Sequence, residues 1–304
     1  MTAHIRCSTL NTEENARRGH HLGCQDAVRF ILYSEVFVLK IVFNGKHLNW
    51  TGGTVTELRR LYGAGQEIAI INGFAADEDT SLNEGDEVYL IPKDRLPPKA
   101  ALEAMMCSRH TPRVHEKVHA GRVAICGLGG LGSNAAVYLA RTGVGHLHLI
   151  DFDTVDASNL NRQSYMVRDL GQRKTDALAR QLRDINPFID VQTSFVRLTE
   201  ENVPEILKDE QIICEAFDNP DAKTMLVHTV LEKMPDTYIV SASGMAGYGD
   251  SNRIQTKKIT DHFYICGDQT KNACPGRGLM APRVAICAAH EANLIVELLV
   301  DVLK

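Results

Sequence analysis

Hydrophobic and polar positions divide the chain into two stretches of different rhythm. From 36 to 94 the apolar runs are short and separated by turn residues. Residues 37–43 form a strand-like run that ends at the turn pair Asn44-Gly45, and Leu48 to Trp50 provide a return strand. Thr54 followed by Glu57 is a capping box that opens a short helix reaching Leu61. Strands follow at 67–72 and, after the turn Asn83-Glu84-Gly85-Asp86, at the end of 82–91. The order hairpin, helix, strand, strand is that of a β-grasp fold. Between 95 and 120 the pattern weakens into a linker. Pro92, Pro97, Pro98 and Pro112 preclude a continuous helix, a short one fits 100–107, and a basic cluster containing Arg109 and Arg113 follows.

From 121 onward, apolar strands alternate with helical periodicity. Strands are predicted at 122–126, 146–150, 191–196, 211–217 and 238–241, with helices at 131–142, 174–184 and 222–233. Short strands fit 253–254 and 263–265, and 279–303 predicts a buried helix. Such alternation predicts βαβ crossovers, hence an α/β domain with a Rossmann-like, mostly parallel sheet and helices on both faces. The expected organisation is a tail (1–35), a β-grasp domain (36–94), a linker (95–120) and the α/β domain (121–304). The tail has no periodicity and reads as disordered or as an over-long gene start. Cys7, Cys24 and the pair His20-His21 offer a metal-binding alternative there.

Composition narrows the function classes. With 44% apolar and 23% charged residues and a net charge of −5, the chain has ordinary globular content and no basic footprint for nucleic acid. No run of some twenty uncharged apolar residues suits a membrane span, and the N-terminus is too polar for a signal peptide. The eight cysteines form no CxxC pair, and Cys126, Cys214 and Cys287 sit in apolar runs as small buried hydrophobes. A reducing cytoplasm is the expected compartment.

The candidate chemistry begins at Gly127-Leu-Gly129-Gly130-Leu-Gly132, a GxGxxG motif between a strand and a helix. Glycines there admit phosphate close to the backbone, and the helix N-terminus supplies N–H groups and partial positive charge. Asp151 ends the next strand, where a carboxylate can accept from ribose hydroxyls. These features alone fit an NAD dehydrogenase equally well. The run from Asp151 through Asp153 and Asn159 to Arg162 and Gln163, followed by Lys174, shifts the balance toward a triphosphate. Arg162 and Lys174 suit charge that moves onto a leaving pyrophosphate, the plain alternative being a solvated polar loop. Asp218 and Asn219 follow a strand end, where Asp218 suits Mg²⁺ and either residue suits a helix N-cap.

These residues resemble the ThiF/MoeB/HesA family, relatives of the ubiquitin-activating enzymes. The resemblance rests on 127–133, 151–163, Lys174, 215–219 and the segment Gly278-Leu-Met-Ala-Pro282, and covers about 105–304. Asn72-Gly73 and 83–88 resemble the sulfur carrier ThiS, so the nearest likeness is a ThiF with a fused ThiS-like domain. The resemblance implies ATP-dependent adenylylation of a carrier's terminal glycine carboxylate in thiamine biosynthesis. Carriers of the molybdopterin or cysteine-synthesis type are the near alternative, and an NAD-dependent oxidoreductase or a non-catalytic carrier-binding module the remote ones. It implies that Gly130 lines the phosphate path and that Asp151 binds the ribose, with Gly127, Gly129, Gly132 and Asp153 also among the nucleotide-binding residues. Arg162 and Lys174 would hold the phosphates with Asn159, Gln163 and Asn219 in support, and Asp218 would hold Mg²⁺. It further implies a homodimer in which an N-terminal arginine, Arg109 or Arg113, reaches the partner's ATP, and a sulfur-donor enzyme as a possible partner.

Cys274, ahead of that Gly278–Pro282 segment, matches the cysteine that receives the carrier or its sulfur in related enzymes; an inert loop cysteine is the alternative. Lys271 and Arg277 would favour its thiolate. Relatives often hold zinc through two CxxC pairs, whereas here only the irregularly spaced Cys266, Cys274, His262 and His290 are on offer, so no structural zinc is expected. The small domain runs on through Ile91-Pro-Lys-Asp-Arg-Leu-Pro-Pro98 with no Gly-Gly. The carrier is therefore expected to be a separate chain, the fused domain serving docking, regulation or structural capping.

Overall fold

The computed structural model describes residues 38–63, 67–77, 80–94, 96–270 and 273–303. The expected tail, with Cys7, Cys24, His20 and His21, and the cation Lys271 lie outside the described residues.

The first unit is a five-stranded sheet. Its strands are β1 (Leu39–Phe43), β2 (Lys46–Trp50), β3 (Ile68–Ile71), β4 (Phe74–Ala75) and β5 (Glu87–Ile91), and α1 (Val55–Tyr62) follows β2. They lie in the order β2-β1-β5-β3-β4, with β1 and β5 parallel at the centre. The hairpin closes where expected, because Asn44 and Gly45 both take positive φ (48° and 78°), the twist-matched conformation of a two-residue turn. The capping box also forms: Thr54 accepts from the Glu57 backbone, and the Glu57 carboxylate reaches back to Thr54 N. Trp50, Val55, Leu58, Val88 and Leu90 pack between α1 and one sheet face.

Residues 95–120 form more structure than the proline pattern indicates. They contain two helices, α2 (Lys99–His110) and α3 (Pro112–Ala120). Pro112 stands in the first turn of α3, where its missing N–H has no intrahelical partner to lose. Helix α2 packs Ala101, Ala104 and Met105 on Ile70, Tyr89 and Ile91, covering the sheet face opposite the α1 core.

The second unit is a seven-stranded sheet ordered β11-β12-β10-β9-β6-β7-β8. The strands are β6 (Arg122–Cys126), β7 (His146–Asp151), β8 (Asp190–Phe195), β9 (Ile212–Glu215), β10 (Tyr238–Ala242), β11 (Gln255–Lys258) and β12 (Phe263–Gly267). All run parallel except the edge strand β11. Helices α4 (Gly130–Thr142), α5 (Lys174–Ile185), α6 (Val203–Ile206), α7 (Pro220–Lys233) and α8 (Ala281–Glu297) complete it. Alternation along β6 builds two cores: Val123 and Ile125 face α4, α5 and α8, while Ala124 and Cys126 face α6 and α7. The short strand expected at 253–254 is displaced to Gln255–Lys258, an edge strand whose four residues are all exposed and carry no apolar signal.

The chain leaves β6 toward β7 on one side and returns to β9 on the other. The crevice between the carboxyl ends of β6 and β9 is thus a topological switch point, where doubly wound sheets bind ligands.

Candidate nucleotide site

The glycine motif straddles this crevice with unequal roles at its positions. Gly127 has φ +94°, and a Cβ there would lie 2.9 Å from Ala216 O across the switch point. Gly132 carries α4 against the strand end, where a Cβ would lie 1.9 Å from Gly127 O. Gly129, where a Cβ would meet only Gln163 Nε2 at 3.9 Å, opens onto a cavity of about 910 Å³, which Gly127 and Gly130 also line, although a Cβ at Gly130 would lie 2.9 Å from Val284 Cγ1. Gly129 is the N-cap of α4, which leaves its first N–H groups directed into that space.

Asp151 fastens the loop from the next strand. Its carboxylate accepts from Leu128 N at 2.6 Å and from Asp153 N at 2.7 Å, and it is 7% exposed. Tyr165 donates its hydroxyl to Leu128 O at 2.9 Å, and burial pushes that phenol well above its ordinary range, so it stays a donor. Lys174 is also buried and pairs with Asp153 at 2.9 Å. Arg162 is anchored through Nη1 to Ser158 O and Asn161 Oδ1. Asn159 closes its own turn by accepting from Asp156 N. Gln163 is buried with Oε1 free of any partner.

Of the residues singled out from sequence, Gly127, Gly129, Gly130, Asp151, Asp153, Asn159, Arg162, Gln163, Lys174, Asp218 and Asn219 line this cavity. Gly132 supports its wall from behind. Asp218 is exposed in the turn three residues beyond β9 and is not the helix cap. Asn219 is, accepting from Asp221 N and Ala222 N at 2.9 and 3.0 Å, which leaves the Asp218 carboxylate free of that duty. Arg109, exposed in the last turn of α2, is outside the cavity lining, as is Arg113.

Cys274 is exposed in a tight turn, its backbone exchanging hydrogen bonds with Arg277 (3.1 and 2.8 Å) around Gly276 at φ +79°. That turn leads to Leu279 on the cavity wall. The four zinc candidates do not converge. Cys266 is buried beside Thr256, which also meets His290, while His262 stacks edge-on against Tyr238. Among the described residues no group of three or more metal-ligating side chains is placed to hold an ion. No described helix is long and apolar enough to cross a membrane.

Several residues to which the sequence assigns no individual role hold the site together. Asn134 of α4 donates to Arg162 O at 3.0 Å, and Ser133 Oγ accepts from Ser164 N at 3.0 Å, so α4 clamps the loop that carries the arginine. Arg197 lies 4.0 Å over the Phe152 ring at the cavity mouth. The buried Arg283 pairs with Asp268 and donates to Gly249 O and Asp250 O, fixing the loops beside the Cys274 turn. None of these contacts leaves a local pattern, since each joins segments far apart in the chain.

The sequence matches the ThiF family over residues 103–303 and the ThiS-like ubiquitin family over 39–94. The chain belongs to the ThiF family. Similar curated proteins include the adenylyltransferase and sulfurtransferase uba4 of Aspergillus clavatus, 41% identical over 135 residues, or 44% of this chain and 27% of that protein. The molybdopterin-synthase adenylyltransferase of Haemophilus influenzae is 41% identical over 112 residues, or 36% of this chain and 46% of that one. The chain thus spans less than half the length of these two relatives. Among solved structures, the tRNA N6-threonylcarbamoyladenosine dehydratase TcdA of E. coli in complex with AMP superposes with a TM-score of 0.60. It is 20% identical and covers 68% of this chain and 98% of its own, which establishes a shared fold.

Proposed function

We propose that this protein is an ATP-dependent adenylyltransferase that activates the C-terminal glycine carboxylate of a ubiquitin-like sulfur-carrier protein. One observation carries the reading. A single cavity at the switch point gathers an open helix N-terminus, Asp151, Arg162, Lys174 and Asp218. The helix N-terminus and Asp151 suit any nucleotide; it is the addition of Arg162, Lys174 and Asp218 that favours a triphosphate with Mg²⁺ over a nicotinamide dinucleotide.

The reaction joins the carrier's carboxylate oxygen to the α-phosphorus of ATP and breaks the bond to pyrophosphate, which departs. No side-chain nucleophile is required, so catalysis lies in positioning and charge neutralisation. The α4 N-terminus receives phosphate oxygens, Arg162 and Lys174 balance the charge that moves to the leaving group, and Asp151 orients the ribose. Mg²⁺ fits the donors present. Asp218 offers one exposed carboxylate, and a hydrated Mg²⁺ needs few protein oxygens. When bound, Mg²⁺ supplies charge that neutralises the phosphates. Arg109, or else Arg113, would reach the partner's site in a homodimer; both stand outside the lining of their own cavity.

The substrate is a separate chain. The fused ThiS-like domain continues from β5 into α2 without a free terminus, and α2 covers one face of its sheet. Its match to the ThiS-like family favours ThiS as the carrier, and the molybdopterin-type relative makes that carrier class the second to try. Labelled pyrophosphate, Mg²⁺ and each purified carrier should give carrier-dependent exchange into ATP, which Asp218→Ala abolishes. Absence of exchange with every ubiquitin-like carrier would refute the proposal.

A further inference from the structure

Glu215 is the last residue of β9, three positions before Asp218, and its carboxylate is wholly buried. It has three partners. Oε1 accepts from Phe217 N at 2.8 Å, and Oε2 accepts from Ser241 Oγ at 2.5 Å and from Lys223 Nζ. Lys223 belongs to the first turns of α7, the helix that Asn219 caps, and Ser241 lies on the neighbouring strand β10. One carboxylate therefore ties together the strand before the Asp218 turn, the turn itself, the helix after it and the adjacent strand. The same turn abuts the nucleotide loop: Ala216 N donates to Cys126 O at 2.9 Å, and Gly127 lies against Ala216 and Phe217.

A buried ion pair contributes little net stability compared with apolar groups of the same volume, because desolvation offsets the attraction. Geometry is what this pair supplies. We propose that Glu215, Lys223 and Ser241 form a positioning unit that holds the β9–α7 turn, and with it Asp218, where Mg²⁺ and ATP are bound together. The inference rests on the adenylylation reading only for its link to catalysis; the link to nucleotide binding stands apart.

The test uses the double variant Glu215→Gln/Lys223→Met, which removes both charges and leaves neither partner buried alone. ATP affinity is measured by calorimetry with and without Mg²⁺, beside thermal unfolding and carrier-dependent exchange. Positioning predicts that Mg²⁺-free affinity stays within about twofold of wild type while the gain in affinity from Mg²⁺ falls roughly tenfold. The melting temperature should stay within about 3 °C. Lys223→Arg, which keeps the cation, should retain most of the gain, and Ser241→Ala should lose part of it. The proposal is overturned if the double variant keeps the full gain. It is also overturned if stability and Mg²⁺-free affinity fall along with the gain, or if Mg²⁺ adds nothing in the wild type. A wild type that shows the Mg²⁺ gain and yet no exchange would sink the adenylylation reading and leave the positioning claim to be judged by affinity.

Discussion

The glycine motif lends itself to a graded test, because the structure assigns its members different tasks. At Gly129 a methyl would meet only Gln163 Nε2, at an ordinary 3.9 Å, so the fold accepts alanine there. Gly129 nevertheless lines the cavity, and the methyl would stand where phosphate must approach the helix N-terminus. Losing one charge-assisted hydrogen bond costs about 1.5–3 kcal/mol, or roughly 10- to 150-fold in affinity. At Gly132 the added atom would lie 1.9 Å from Gly127 O and 3.0 Å from Ile125 Cγ2. Helix α4 would have to shift by about 1.5 Å to restore ordinary contact, an overpacking cost of roughly 1–3 kcal/mol. At about 2–4 °C per kcal/mol for a unit this size, Gly132→Ala should melt some 3–10 °C lower. Calorimetric ATP titration and thermal unfolding of both variants check the pair. Wild-type stability in Gly132→Ala, or wild-type ATP affinity in Gly129→Ala, would refute the division between a glycine that serves the fold and one that serves the ligand.

Other outcomes follow from groups outside the glycine loop. Cys274→Ala should leave pyrophosphate exchange intact and slow sulfur transfer to the carrier; loss of exchange in a folded variant would place the cysteine in the first step instead. His115 is held below its ordinary pKa by burial and by the neighbouring His119 and His110. The unfolded chain therefore takes up this proton more readily, so stability should be level above about pH 6.5 and fall as pH drops below it; His115→Gln should flatten that decline in melting curves between pH 7.5 and 5.5. Glu291 is wholly buried and pushed well above its ordinary pKa, chiefly by burial. The folded state retains its proton while the unfolded state loses it above about pH 4.5, so this group lowers stability as pH rises. Glu291→Gln should accordingly melt higher than wild type at pH 8 and close to it at pH 4.

What could be read from the sequence, and what could not, follows from the range of each interaction. The capping box at Thr54, the turn at Asn44-Gly45 and the strand–glycine–helix unit at 122–142 are local, so spacing alone reveals them. Helix α3 escaped because Pro112 reads as a breaker until its place in the first turn is known. The strand expected at 253–254 falls short of β11 because Gln255–Lys258 lies at an edge with no buried face to mark it. The Asn134 clamp on Arg162 spans 28 residues and exists only once α4 is docked. Charge in the cavity shows the same limit. Arg162 and Lys174, read singly, promise a site attractive to triphosphate. Folding also brings Arg197 to the wall, and with the three cations come six carboxylates: Asp151, Asp153, Glu200, Glu201, Asp218 and Asp221. Lys174 is already paired with Asp153. A cavity with this balance is poorly suited to bare ATP, whose negative charge would meet an excess of the same sign at close range. On the proposed reading, affinity should therefore rise with cations that arrive with the nucleotide, the role proposed for Mg²⁺ at Asp218, or that a second subunit supplies, the role proposed for Arg109.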